Sequence, residues 1–215
     1  MRLANIVAVA ALGASLSGCG YNRIQQLDET VEQARANVGV ELTARNQLIP
    51  NMVKAVEGAA NFERGTFTDV ARARSGQAVA QARQGLEQSA QKLNQAVQAG
   101  DVAAMAAADE QVTRQIGTFI NISREAYPNL NATQNFRGLQ DQLAESENRI
   151  AVARRDYNGA VREYNTYIRQ FPQAMTARFS GATRKEPYRE PAGSNEAPKV
   201  DFGGGAAAPP APTTP

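Results

Sequence analysis

FRGLQDQLAESENRIAVARRDYNGAVREYNTYIRQF, residues 136–171, places Phe136, Leu139, Leu143, Ser146, Ile150, Ala153, Tyr157, Ala160, Tyr164, Tyr167 and Phe171 at alternating spacings of three and four. Ten of these eleven positions are apolar or aromatic. A seam held for about five heptads is the mark of a long helix that lies against a partner helix. Pro172 follows it, where the chain is expected to bend.

A second seam lies near the start of the chain. Ile24, Leu27, Val31, Ala34 and Val38 follow the same rule, and the stripe then slips by one residue through Leu42, Ile49, Val53, Val56 and Ala60. Such a slip changes the local supercoil. Gly65 breaks this helix, and Thr66 with Asp69 resembles a capping box. A thinner stripe, Val79, Ala82, Leu86, Ala90, Leu93 and Val97, predicts a helix over about 67–99. Gly100-Asp101 reads as a turn with an N-cap, and Met105, Val112, Ile116, Phe119 and Ala126 face inward from the next helix. Tyr127-Pro128-Asn129 ends that helix. Four helices with short joins predict an all-α, elongated antiparallel bundle running up-down-up-down. A three-helix arrangement with the two middle helices merged or frayed is the alternative.

Both ends are different material. Arg2 precedes an apolar, Ala-rich run from Leu3 to Leu16, then Leu16-Ser17-Gly18-Cys19. A charged start, a short apolar core and small residues before a cut are the layout of a secretory signal. The last four residues resemble the lipobox of bacterial lipoproteins, with Cys19, the one cysteine in the chain, as the thiol that takes the lipid. Residues 1–18 are therefore expected to be a signal peptide and Cys19 a lipidated N-terminus. An uncleaved membrane helix is the alternative, since residues 3–20 approach the ~17–25 residues of a span. Gly20, in place of the aspartate typical of inner-membrane retention, favours the outer membrane. From residue 181 to 215 the chain turns polar and then rich in Pro, Gly and Ala, with too few large apolar groups to offset the entropy of ordering. That stretch is expected to be a disordered tail, or a flexible arm toward a partner, which leaves residues 19–180 as the bundle.

Composition narrows the chemistry. With 23 basic and 21 acidic residues among 215, no charge case exists for nucleic acid. Histidine is absent, and with it the commonest general base and metal ligand. Once Cys19 carries lipid, no disulfide, zinc site or cysteine nucleophile remains. No metal and no cofactor are expected. Glu41, Glu125, Glu145 and Glu147 offer carboxylates, but no phosphate loop or nucleophile elbow accompanies them. The reading is therefore not an enzyme.

One polar feature interrupts the seams. Pro50 sits inside a helical pattern and cannot donate to the Asn46 carbonyl, so a kink is expected there. Ser146 is the one polar residue on the 136–171 seam. If the first and last helices pair antiparallel over 21–61 and 133–172, facing residue numbers sum to about 193, because both rise about 1.5 Å per residue. Arg45 and Asn46 then face Ser146, Glu147 and Arg149, with Arg45–Glu147 as the foremost ion pair. Polar groups on an apolar seam must be hydrogen-bonded. The layer either fixes register or forms part of a binding site.

The same residues resemble the LemA family: Asn46-Gln47-Leu48-Ile49-Pro50-Asn51-Met52-Val53, Glu125-Ala126-Tyr127-Pro128, Asn135-Phe136, Ser146-Glu147-Asn148-Arg149-Ile150, and the spaced aromatic and asparagine positions from Ala153 to Pro172. Their order and spacing fit from Tyr21 to about Phe179. The resemblance implies an all-helical bundle fixed to a membrane near its N-terminus, with no established enzymatic activity. The chain departs from the family pattern where Ala44 and Gln47 replace a basic residue and an acid, and over residues 78–108. The expected function is a lipid-anchored, periplasm-facing binding or scaffold module that docks an envelope protein partner. The alternative is a ligand or lipid binder with a cavity between helices near Pro50. A large apolar pocket would mark the second, a solid core with an exposed apolar patch the first.

Overall fold

A computed structural model describes residues 2–62 and 69–189, with side chains over 20–61, 76–131 and 133–189. The fold is all-α. Helices α1 (Arg2–Asn46), α2 (Ile49–Phe62), α3 (Asp69–Ala99), α4 (Val102–Ala126), α5 (Gln134–Tyr167) and α6 (Gln173–Ser180) follow in order, with a 3-10 turn at Pro128–Ala132. The breaker Gly65 and the capping residue Thr66 fall outside the described residues. Among those described, no helix is long and apolar enough to cross a membrane.

The expected kink at Pro50 is a break. Helix α1 ends at Asn46, and α2 restarts at Ile49. Leu48 N–H donates to the Arg45 carbonyl at 3.0 Å, a tight 3-10 closure. Pro50 therefore lies in the first turn of α2, where a missing N–H leaves nothing unsatisfied. The turn between α3 and α4 follows its sequence signals. Gly100 takes φ +68, and the Asp101 side chain accepts from Ala104 N–H at 3.0 Å.

Two antiparallel pairs, α1–α5 and α3–α4, make the bundle. Ion pairs Arg23–Glu163, Glu41–Arg149 and Arg45–Glu147 step in opposite directions along α1 and α5. Asn46 touches α3 at Ala90 and Asn94, whereas a Cβ on Gly39 would meet Val97, so α3 also runs against α1. The core is continuous: Ile24, Leu27, Val31, Val38, Leu42, Met52 and Val56 meet Leu86, Leu93, Met105, Val112, Phe119, Phe136, Ile150, Tyr157 and Tyr164. The α5 seam holds to Tyr164 and then fails. Ile168 is buried, but Phe171 is 83% exposed, because the helix ends at Tyr167 and its phase is lost in the following turn.

The α3–α4 turn does not reach the end of α1. Gly100 abuts the Arg35 guanidinium, 15 residues short of Gly20, which is about 22 Å of helix. Below that level α1 and α5 are covered by α6 and by an extended strap, residues 182–189. The expected tail boundary at 181 is thus corrected: the strap is docked, with Tyr188 3% exposed. Composition missed it because its hold comes from polar groups on the helices, those of α5 foremost. Asn165 donates to the Lys185 carbonyl at 2.8 Å and accepts from its N–H at 2.9 Å, and Asn158 does the same for Tyr188 at 3.0 and 2.8 Å. Seven helical residues span about 10.5 Å and three extended residues about 10 Å, so the two asparagines match the strap's repeat. Tyr157 adds a hydroxyl donated to the Glu186 carbonyl at 2.8 Å.

Candidate functional site

Arg45 closes α1 at the position between Leu42 and Ile49, so the 3-4 spacing of the seam drives its side chain into the core. It is the largest fully buried side chain described, at 0% exposure. Burying a guanidinium without partners is prohibitive. Its Nη2 donates to Asp109 Oδ1 at 2.7 Å, and its Nη1 donates to Glu147 Oε1 at 2.7 Å and to the Thr113 hydroxyl at 3.1 Å.

Asp109 is the hub of this layer, and sequence reasoning missed it. It is 2% exposed and comes from α4, between Met105 and Val112. Its second oxygen, Oδ2, accepts from Arg154 Nη2 of α5 and from the Tyr188 hydroxyl of the strap at 2.8 Å. The Arg154 guanidinium also lies over the Tyr188 ring, 5.1 Å from its centroid. Two arginines face two carboxylates, so the cluster is neutral as a whole.

The electrostatics follow from that geometry. Burial pushes the Tyr188 phenol far above its ordinary value, and the Asp109 charge adds to the rise. Burial opposes the charge on Arg154, yet Asp109 outweighs it and holds the guanidinium above its usual value. Both groups are therefore locked in the forms that hydrogen-bond Asp109. Lower down, Lys185 bridges Asp28 at 3.0 Å and Glu32 at 3.1 Å. Burial works against its charge, but the two carboxylates raise it.

The expected layer residues divide into two groups. Arg45 and Glu147 meet, but Glu147 is 41% exposed and caps the arginine from the rim, while the buried partner is Asp109. Asn46 turns to α3, donating to the Ala90 carbonyl at 3.2 Å and to Asn94 Oδ1 at 3.0 Å. Ser146 is buried, but its hydroxyl donates back to the Leu143 carbonyl, as serine in a helix commonly does. Arg149 lies outside the layer, 3.4 Å from Glu41 at the surface. Cys19 falls where side chains are outside the described residues. The missed signal was a stripe read only for its apolar members: Asp109 keeps the 4-3 spacing of α4, and Arg154 sits beside Ala153 on the α5 seam.

Each carboxylate of this cluster meets an arginine. Among the described residues, no group of three or more histidine, cysteine, aspartate or glutamate side chains gathers as a metal site. The residues around the α1–α2 break, Ile49, Met52 and Val53, are packed in the core. Outside it, an open cleft of about 470 Å³ runs between α1 and α5, lined by Ala34, Asn37, Val40, Glu41, Asn148 and Val152 among others. Val40 and Val152 are exposed there.

Residues 34–202 match the LemA family. Two curated relatives, magnetosome proteins MamQ 1 and MamQ 2 of Paramagnetospirillum magneticum, are 28% identical over 204 residues, which is 90% of this chain and 73% of each relative. Magnetosome protein MamQ of Magnetospirillum gryphiswaldense is 26% identical over 184 residues, 80% of this chain and 66% of that protein.

Proposed function

The chain belongs to the LemA family, and from that membership and the mutual pairing of its buried charges we propose a non-enzymatic, membrane-anchored binding or scaffold module of the cell envelope. One observation carries the reading: the buried charges at Arg45, Asp109 and Arg154 are consumed by one another and by Tyr188. They hold four segments of chain together and present no reactive group to a substrate. What is left to engage a partner is the outside, where the α1–α5 cleft offers Val40 and Val152 between polar rims. Two exposed valines between polar rims suit an apolar helix face or extended segment of an envelope protein.

Anchoring follows from the N-terminal pattern. Residues 1–18 are removed as a signal peptide, Cys19 receives lipid, and the bundle faces the periplasm, with Gly20 favouring the outer membrane. The relatives' placement among magnetosome proteins is in keeping with membrane association. Several acyl chains anchor stably, since each buried CH₂ contributes about 0.8 kcal/mol. The bundle then runs from residue 19 through the strap to 189, and the tail begins beyond it.

Two experiments test this. Mass spectrometry of the cell-derived N-terminus is expected to find acylated Cys19; an intact 1–18 segment refutes the lipid anchor. A photo-reactive group at Val152, used in intact cells, is expected to give a discrete adduct that a charge at Val40 abolishes. A scan of the cleft without any specific adduct refutes the docking role.

A further inference from the structure

Among the described residues, large apolar side chains are exposed mainly at one end. Of the six, Tyr21, Phe171, Met175 and Phe179 lie at the α6 end, and Phe179 is 89% exposed. Met175 and Phe179 are one helical turn apart on the face of α6 opposite Ala177, which is buried. Phe171 stands in the turn that leads into the helix. The position of α6 is set by α1: a Cβ on Gly20 would lie 3.4 Å from the Thr176 hydroxyl. The face therefore emerges beside the residue that follows Cys19. The charge is one-sided as well. Residues 166–184 contain Arg169, Arg178 and Arg184 and no acid.

We infer that α6, with Phe171, Met175 and Phe179, is a second membrane contact that inserts into the lipid surface beside the N-terminal anchor. This rests on the anchoring proposed above. An anchor at residue 19 or before it holds Gly20, and with it Thr176, next to the bilayer. Two phenyl rings and a thioether carry no group that must be left hydrated, and flanking arginines reach phosphate head groups while their stems stay apolar. A single tether lets a rod swivel. Two contacts fix its tilt and set which side of the bundle, and so which lip of the α1–α5 cleft, faces away from the membrane.

The chain contains no tryptophan, so one introduced indole reports alone. The full chain carrying Phe179→Trp is reconstituted into vesicles of phosphatidylethanolamine and phosphatidylglycerol, with Val152→Trp as the distant control. Flotation of the vesicles reads the anchor. Brominated acyl chains read insertion. The expected result is co-flotation of both variants, with Phe179→Trp blue-shifted and quenched by brominated lipid and Val152→Trp not quenched. Co-flotation with a Phe179→Trp that only aqueous acrylamide quenches overturns the α6 contact and leaves the anchor standing. A blue-shifted indole that brominated lipid does not quench also overturns it, in favour of a protein cover. Failure to float removes the anchor and this inference together.

Discussion

Replacing Asp109 with Asn probes the bundle at its most heavily used atom pair. Asparagine has nearly the same volume, so no cavity opens and no rotamer need change. What disappears is the charge that faces two guanidinium groups, one of them at 0% exposure. One carboxylate oxygen serves Arg45, and the other serves Arg154 and Tyr188. An amide can present only one acceptor oxygen, so its NH₂ must face either an arginine or the pair formed by Arg154 and the phenol. Glu147 still reaches Arg45, but from the rim, where water weakens it. Stranding a buried charge costs about 3–5 kcal/mol. For a chain of this size, about 2–4 °C per kcal/mol translates that into a loss of roughly 6–20 °C in Tm. Urea unfolding followed by circular dichroism at 222 nm gives the free energy directly, with an unchanged slope as evidence that only stability moved. A loss under about 1 kcal/mol, the range of exposed ion pairs, would show that Asp109 is not the hub of this layer.

Three further outcomes follow from the same geometry. Glu147→Gln removes a half-exposed partner, so its cost is expected at about 0.2–1 kcal/mol, well below that of Asp109→Asn in the same urea assay; equal costs refute the division between buried hub and rim cap. Asn158→Ala with Asn165→Ala cuts four strap hydrogen bonds, each worth about 0.5–1.5 kcal/mol, and is expected to raise amide exchange over 182–189 while α3–α4 exchange is unchanged; unchanged strap protection contradicts the ladder. Tyr188→Phe reports on pH: burial and Asp109 raise the phenol above its usual ~10, so the folded chain keeps a proton that the unfolded chain releases. The stabilisation from this shift is whole below about pH 10 and fades as pH climbs beyond it, so the variant should lose less stability than the parent between about pH 9 and 11. Parallel curves for the two chains rule that linkage out.

Much of the bundle was legible because its seams are long. The 136–171 periodicity survives as α5 through Tyr164, and the antiparallel register that sets residue 46 against 147 brings Arg45 and Glu147 to 2.7 Å. Pro50 marked an interruption, although steric relief moved it two to three residues earlier, to Gln47–Leu48. Asp109 was not legible in the same way. An aspartate at a seam position looks like noise in a weak stripe until a buried arginine is known to need it, and the need arises on another helix. The strap was hidden for a related reason. Residues 182–189 hold one large apolar side chain, so composition alone reads them as unable to fold, whereas the groups that order them, Asn158 and Asn165, belong to a helix whose own pattern they do not disturb.

The asparagine ladder carries a rule for length. With only two teeth, seven residues apart on one side and three on the other, slipping the strap by a single residue would misalign both at once and swing the Tyr188 ring to the opposite face. Insertions or deletions between Lys185 and Tyr188 should therefore be as harmful as cuts in a core helix, while whatever is appended after Arg189 changes no tooth. A reporter or affinity handle belongs there.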